Sequence, residues 1–136
     1  MSDQIKHECG IALIRLLKPL SYYKEKYGTW KYGLNKLYLL LEKQHNRGQD
    51  GAGAVCVKDH LRPGSTYIHR FRSIQENPIK DVFDRINKPL KKALRKGVDI
   101  NDCDWAYDNF SFAGELYLGH FRYKKKKKNS LDFVHP

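Results

Sequence analysis

The clearest pattern in the chain is a set of apolar residues at intervals of three and four over residues 30–46. This spacing is typical of a helix that covers a core with one face. The predicted apolar stripe, widened by Leu39 and Leu40, contains Trp30, Leu34, Leu37, Tyr38, Leu41 and His45. Lysines and a glutamate occupy much of the opposite side, and Gly48 is a plausible C-terminal stop. The pattern therefore predicts one long amphipathic helix.

Other helical segments are shorter. Residues 21–27 are expected to form a helical turn that stops at Gly28. A further helix is predicted to start at Asn77 and Pro78, as N-cap and first helical residue, and to break at Pro89. Residues 99–109 are mostly polar, and Trp105 and Tyr107 are expected to anchor them.

Four stretches predict β-strands, near residues 9–17, 52–58, 66–72 and 112–123. The first is a short apolar run bounded by a proline, so it is expected to be largely buried. The second and third are separated by a turn at residues 61–65 and should form a hairpin. Strands alternating with helices, with no linker or repeat, favour one α+β domain.

Composition narrows the class of protein. The chain has 136 residues, of which 40% are hydrophobic and 30% charged, which is typical of one small soluble globular domain. No apolar run approaches the roughly 20 residues that span a bilayer, and the first eight residues lack the apolar core of a secretion signal. Cysteines at positions 9, 56 and 103 match no metal spacing, which indicates reduced thiols and a cytoplasmic location.

The chain is strongly basic, with 26 Lys and Arg against 15 Asp and Glu and a net charge of +11. Such a charge attracts phosphates of any kind, so a nucleic-acid-binding module is one alternative. In such a module, aromatic residues would stack on bases, and the candidates are Tyr22, Tyr23, Tyr27, Trp30 and Tyr32. We interpret these residues instead as packing residues of the helix and of the loop before it. No recognised binding motif accompanies the charge, so non-specific binding alone is expected. Five adjacent lysines, Lys124 to Lys128, repel one another and predict a mobile loop.

Three short motifs occur in order along the chain. Cys9-Gly10-Ile11 stands at the start of the first predicted strand, and Gln44-His45-Asn46-Arg47-Gly48-Gln49-Asp50-Gly51-Ala52-Gly53 follows the long helix. Gly119-His120-Phe121-Arg122-Tyr123 lies in the last predicted strand. Each motif alone has an ordinary explanation, since a cysteine at a strand start is more often a small core residue.

Taken in order, the three motifs resemble the glutaminase half of amidophosphoribosyltransferases, a class II glutamine amidotransferase domain among the N-terminal-nucleophile hydrolases. Residue Asn46 is an insertion within the second motif. The resemblance covers nearly the whole chain and implies a layered αββα sandwich, here incomplete. It also implies an ammonia-producing activity that serves purine synthesis.

The resemblance assigns roles to particular residues. Cys9 would be the nucleophile, and residues 1–8 a propeptide whose removal frees the α-amino group of Cys9 to act as base. That amine has a pKa near ~8, which suits base catalysis at neutral pH. Arg122 would bind the α-carboxylate of glutamine and Arg47 would support the nucleophile. His120 and Tyr123 would form walls of the site.

The chain also departs from the family pattern. Lys124 to Lys127 stand where the family has a small residue, a substrate-binding threonine and a glycine-bearing loop, so weaker substrate binding is expected. The family's oxyanion segment, the acidic residue that binds the substrate amine and a phosphoribosyltransferase domain would all come after residue 136. Loss of oxyanion donors costs about 10²–10³-fold in rate.

Residues 9–136 are therefore interpreted as the N-terminal part of the glutaminase domain, weak or inactive alone. No metal is implied for this chemistry, and phosphoribosyl pyrophosphate and Mg²⁺ would belong to the second domain. The expected partners are glutamine and either a phosphoribosyltransferase domain or further copies of the chain. The main alternative is a non-catalytic remnant that associates with a complete subunit.

Overall fold

The computed structural model describes residues 9–44 and 50–122. In chain order the elements are β1 (Gly10–Arg15), α1 (Leu20–Tyr27), α2 (Tyr32–Lys43), β2 (Gly51–Val57), β3 (Ile68–Ser73), α3 (Pro78–Arg95), α4 (Cys103–Asn109) and β4 (Leu116–Arg122). The predicted α+β class is confirmed.

The four strands form one antiparallel sheet in the order β1-β4-β2-β3. The predicted hairpin is present, because β2 pairs with β3. The last strand, β4, inserts between β1 and β2 and pairs with both. The sheet therefore joins the start of the described chain to its end.

Two helices cover one face of this sheet. Helix α2 lies on β1 and β4, α3 lies on β2 and β3, and the two helices contact each other. The core between the layers includes Leu34, Leu37, Leu41, Val82, Ile86, Ala54, Tyr117 and Phe121, all at most 2% exposed. We call this the covered face and the other the open face.

The first strand corrects one expectation. Gly10 and Ala12 point into the core, but Ile11 and Leu13 on the open face are 70% and 57% exposed. The prediction of a largely buried strand was wrong because, among the described residues, helices cover only one side of the sheet. Alternate residues of a strand point to opposite faces, so an apolar run is buried at every second position.

The long helix is shorter than predicted, and its stripe is narrower. Trp30, Leu34, Leu37 and Leu41 are buried, whereas Tyr38, Leu39 and Leu40 are exposed. The remaining stripe residue, His45, and the expected stop Gly48 lie outside the described residues, as does the lysine block Lys124 to Lys128. The shorter helix, α1, ends as predicted at Gly28, whose φ of 83° favours glycine.

Helix α3 overturns the prediction that Pro89 breaks it. The helix runs from Pro78 through Pro89 to Arg95. Ile86 and Leu90 are buried on either side of Pro89, while Pro89 itself is exposed. Proline has no backbone N–H, so the helix lacks one hydrogen bond at Pro89. That gap lies on the solvent side of the helix, where water can solvate the carbonyl group left without a partner. Asn77 precedes the helix as predicted, although its side chain makes no capping hydrogen bond.

The polar segment before β4 contains a helix that the pattern did not predict. Helix α4 is capped by Asp102, whose carboxylate accepts hydrogen bonds from the backbone N–H groups of Asp104 and Trp105. Trp105 and Tyr107 are partly buried against the core, which confirms them as anchors. An aspartate before a segment with another acidic residue in its first turn was the signal that could have identified this helix.

Candidate functional site

The strand register brings polar side chains together at one end of the open face. His120 of β4 is paired with Ile11 of β1 on one side and with Gly53 of β2 on the other. One step further along β4, Arg122 is paired with Gly51. His120 and Arg122 are two residues apart on β4, so both side chains point to the same face of the sheet. Each is paired across to a glycine of β2.

Cys9 lies at the same end of the sheet. It precedes β1 by one residue and is exposed. The next residue, Gly10, is the first of β1 and is paired with Phe121, which precedes Arg122 on β4.

Two hydrogen bonds join the three motifs at this end of the sheet. The side-chain amide of Gln44, the first residue of the second motif, donates to the carbonyl oxygen of Ile11 at 3.2 Å. Further along the same motif, the backbone N–H of Asp50 donates to the carbonyl oxygen of Arg122 at 3.0 Å. Segments that are far apart in sequence thus converge because α2 ends beside β1 and β2 begins beside β4.

The chemistry available at this end follows from the residue types. A thiol is a nucleophile once deprotonated, and a guanidinium group binds a carboxylate through two parallel hydrogen bonds. His120 and Arg122 are both partly buried and both take part in further interactions. Gly51 and Gly53 carry no side chain, so backbone at these positions can approach a ligand closely.

Two of the predicted site residues cannot be located. Arg47 and Tyr123 lie outside the described residues. Cys9, His120 and Arg122 are the predicted site residues that the structure brings together.

The other two cysteines are placed differently from Cys9. Cys56 is fully buried on the covered face, and burial raises the pKa of its thiol to about 12. Cys103 is partly buried, and burial also raises the pKa of its thiol. Neither thiol is favoured as a thiolate near neutral pH. Cys56 is therefore a core thiol, and Cys103 packs against the core.

The aromatic cluster near the N-terminus packs against itself. The rings of Tyr27 and Tyr32 stack with centroids 4.3 Å apart, and Tyr23 stacks on Tyr32 at 5.2 Å. Trp30 is fully buried, and its indole N–H donates to the carbonyl oxygen of Ile100 at 2.8 Å. Trp30 is therefore not free to stack on a base. The packing interpretation is confirmed for the buried Trp30 and Tyr23, whereas Tyr22 and Tyr27 are exposed.

A second polar cluster, which the sequence patterns did not predict, lies at the opposite end of β2. The Lys58 ammonium group is nearly buried and donates to the carbonyl oxygens of Tyr107 and Phe110 at 2.5 and 2.7 Å. Glu115 is also nearly buried, and its carboxylate accepts from the backbone N–H of Asp59 and from the Tyr107 hydroxyl. A polar residue directly after an apolar strand was the available sequence signal.

Within residues 9–44 and 50–122, no group of three or more His, Cys, Asp or Glu side chains is placed to hold a metal ion. None of the helices described in these ranges is long and apolar enough to cross a membrane. Comparison of the chain with protein-family models, with curated proteins and with solved structures found no match.

Proposed function

We propose that this chain carries the glutamine-hydrolysing site of a class II glutamine amidotransferase of the amidophosphoribosyltransferase type. The observation that supports it is the convergence of three motifs at one end of the open face. The motifs contact one another through Gln44, Ile11, Asp50 and Arg122, although up to 111 residues of sequence separate them. If the short motifs matched the family only by chance, they would not be expected to contact one another in the fold.

In the proposed reaction Cys9 is the nucleophile. Removal of residues 1–8 exposes its α-amino group, which takes the thiol proton. The thiolate sulfur then attacks the side-chain amide carbon of glutamine. The carbon–nitrogen bond breaks, the departing nitrogen takes the proton back from the ammonium group, and ammonia leaves a thioester. Water hydrolyses the thioester, which releases glutamate and restores the thiol.

Arg122 is proposed to bind the α-carboxylate of glutamine. Its position opposite Gly51 and on the same face as His120 places a cation at the end of the sheet where the motifs meet. His120 forms a wall of the site. Arg47 and Tyr123 keep their proposed roles beside the nucleophile and in the wall.

The proposed fold is the first sheet of an αββα sandwich. On the open face, Ile11 and Leu13 are exposed apolar side chains in adjacent rows of the register, and the partly exposed Leu118 is paired with Leu13. They support the proposal because a second sheet packed on that face would bury them. The helices on the covered face would be one outer layer of the sandwich.

The decisive experiment is covalent labelling of Cys9. A diazoketone analogue of glutamine should alkylate Cys9 in protein whose N-terminal sequence begins at Cys9, with peptide mass spectrometry locating the adduct. Protein that still carries residues 1–8 should label at least about tenfold more slowly, because its Cys9 nitrogen is an amide and cannot act as base. Equal labelling rates for the two forms would contradict the proposed mechanism.

Two matched variants separate recognition from simple thiol reactivity. Arg122→Ala should slow labelling by the glutamine analogue, while Arg70→Ala on β3 removes the same charge away from this end and should not. Iodoacetamide, which has no α-carboxylate, should modify both variants equally. Labelling of Cys103 in preference to Cys9 would also reject the assignment.

A second candidate function is association with a complete subunit as a non-catalytic partner. It is favoured by the exposure of Ile11 and Leu13, which together form an apolar patch on the edge strand. Light scattering of the chain alone and mixed with an intact amidophosphoribosyltransferase would test it. Two results together would favour this function over the first. The complex should be lost with Ile11→Lys and Leu13→Lys, and Cys9 should not be labelled by the glutamine analogue.

A further inference from the structure

A cleft of about 620 Å³ opens between the β2–β3 loop and the C-terminal end of α4. We call it the loop cleft. Its volume lies within the range of about 300–1,000 Å³ that is typical of small-molecule sites. β2 begins beside Arg122 and ends at Val57, which Lys58 of the cleft follows. At roughly 3.3 Å per residue, the two sites are about 20 Å apart along the strand.

The loop cleft is lined mainly by basic and hydrogen-bonding groups. Its basic side chains are Lys58, His60, Arg62 and His69, and Asp108 is the single carboxylate among its described lining residues. Hydroxyl groups of Ser65, Thr66 and Ser111 and the amide of Asn109 add further donors. Basic and hydroxyl donors arranged around one cavity suit an anion with several acceptor oxygens.

Lys58 places a fixed positive charge at the wall of this cleft. Its side chain is held by the carbonyl oxygens of Tyr107 and Phe110, which account for two of the three ammonium hydrogens. Within the described part of the chain, no hydrogen bond uses the third. A buried ammonium group gains most from an additional anionic partner, because water contributes little there.

His69 reports the electrostatic potential inside the cleft. Burial lowers the pKa of its imidazole, and the nearby Lys58 ammonium group lowers it further. The Glu115 carboxylate is already engaged by the Asp59 N–H and the Tyr107 hydroxyl. Asp108 and Glu115 also act on Lys58, but the charged group that shifts the His69 pKa is the Lys58 ammonium, so an anion bound beside His69 would offset the positive potential at that ring.

We propose that the loop cleft binds a phosphate-class oxyanion, either inorganic phosphate or the phosphate group of a small phosphomonoester. Lys58 and Arg62 supply the charge, Ser65 and Thr66 supply hydroxyl donors, and the two histidines close the site. This proposal does not rest on the proposed glutaminase function, because none of these residues belongs to the three motifs.

The test is an NMR titration of the His69 ring, assigned with His69→Gln, at constant pH and ionic strength. Inorganic phosphate should shift the His69 signals saturably at constant pH, and a separate pH titration at saturating phosphate should give a raised imidazole pKa, whereas acetate should give neither effect. A phosphomonoester such as phenyl phosphate is the second arm. Tighter binding of phenyl phosphate than of inorganic phosphate identifies an ester site, and the reverse identifies a free-phosphate site.

Matched charge variants separate a built site from general attraction by a basic protein. Arg62→Ala should weaken phosphate binding by about tenfold, the order expected for loss of one charge-assisted contact. Arg70 lies on β3 and its side chain is on the open face, so Arg70→Ala should change the affinity by less than about twofold. Both positions are exposed, so both variants should fold.

Three results would overturn the proposal. The first is a His69 shift that does not saturate with phosphate. The second is an equal loss of phosphate affinity in Arg62→Ala and Arg70→Ala. The third is a His69 response to acetate as large as the response to phosphate. Alkylating Cys9 beforehand should leave phosphate binding unchanged. That control keeps failure of this site distinct from failure of the proposed glutaminase function.

Discussion

On the covered face of the sheet, Ala54, Tyr117 and Phe121 lie under α2 and α3 and are at most 2% exposed. On the open face, Ile11 and Leu13 of the same sheet are more than half exposed, and the three motifs meet at one end. Both faces are formed by the same strands. The difference in exposure arises because successive side chains of a strand point to opposite faces of the sheet. The covered face stabilises the strand register, and the register positions the polar residues on the open face.

Glycines on the two faces have different uses. On the covered face, a Cβ atom at Gly119 would lie 2.8 Å from Leu41 Cδ1, and one at Gly10 would collide with the Phe121 ring. These glycines make room for core side chains. On the open face, Gly51 and Gly53 stand beside Arg122 and His120, where we propose that glutamine binds. The covered-face glycines therefore serve packing, whereas a role of Gly51 and Gly53 in ligand access is part of the proposed glutamine site.

The largest expected effect is a stability difference between two identical substitutions. Leu37→Ala on the covered face should lower the free energy of unfolding by about 2–5 kcal/mol, because it opens a cavity against Gly119. Leu13→Ala on the open face should change it by less than about 0.5 kcal/mol. Urea denaturation followed by circular dichroism measures both. Similar losses would mean that the open face is packed in solution.

The next effect concerns the solvent side of the helix layer. Pro89→Ala should raise the free energy of unfolding by about 1–3 kcal/mol, since it restores a helix-interior N–H and removes the clash with the preceding turn. The neighbouring exposed Lys88→Ala is the control and should have an effect within about 0.5 kcal/mol. Destabilisation by Pro89→Ala would show that the proline is required for the shape of α3.

The smallest effect is a pH dependence from His69 at the end of the covered face. Burial and Lys58 lower its pKa in the folded protein, so below the ordinary pKa of about 6.5 the unfolded chain binds more protons. Stability is therefore lost as the pH falls through that value towards the folded pKa. His69→Gln should reduce the loss of unfolding free energy between neutral and mildly acidic pH. Parallel curves for the two proteins would contradict the assignment.

Local patterns predicted most elements but not their surroundings. The spacing of Leu34, Leu37 and Leu41 identified α2, and the turn at residues 61–65 identified the hairpin of β2 with β3. The prediction at Pro89 failed because local propensity was outweighed by burial of Ile86 and Leu90 on the opposite side. Helix α4 was missed because its stability depends on the Asp102 cap and on packing rather than on apolar periodicity.

The candidate site was predicted in part. Cys9, His120 and Arg122 were selected from the order of motifs, and the register brings them to one end of the open face. The meeting of Gln44 with Ile11 and of Asp50 with Arg122 could not be read from the motifs, since it depends on β4 inserting between β1 and β2. The polar Lys58 directly after β2 was the one local signal of the loop cleft. The cleft itself could not be predicted, because Lys58 and Tyr107 approach each other only through the packing of α4.

The sequence by itself determined the α+β class and the extent of the amphipathic helix to within a few residues, because these depend on local periodicity. The choice of Cys9 as candidate nucleophile came from the resemblance of the three motifs to a known family. Only the tertiary structure decided which side of each strand is buried and which polar groups are neighbours. Both properties depend on where the helices pack and on how β4 pairs. These are contacts between residues far apart in the chain, so a short stretch of sequence does not predict them.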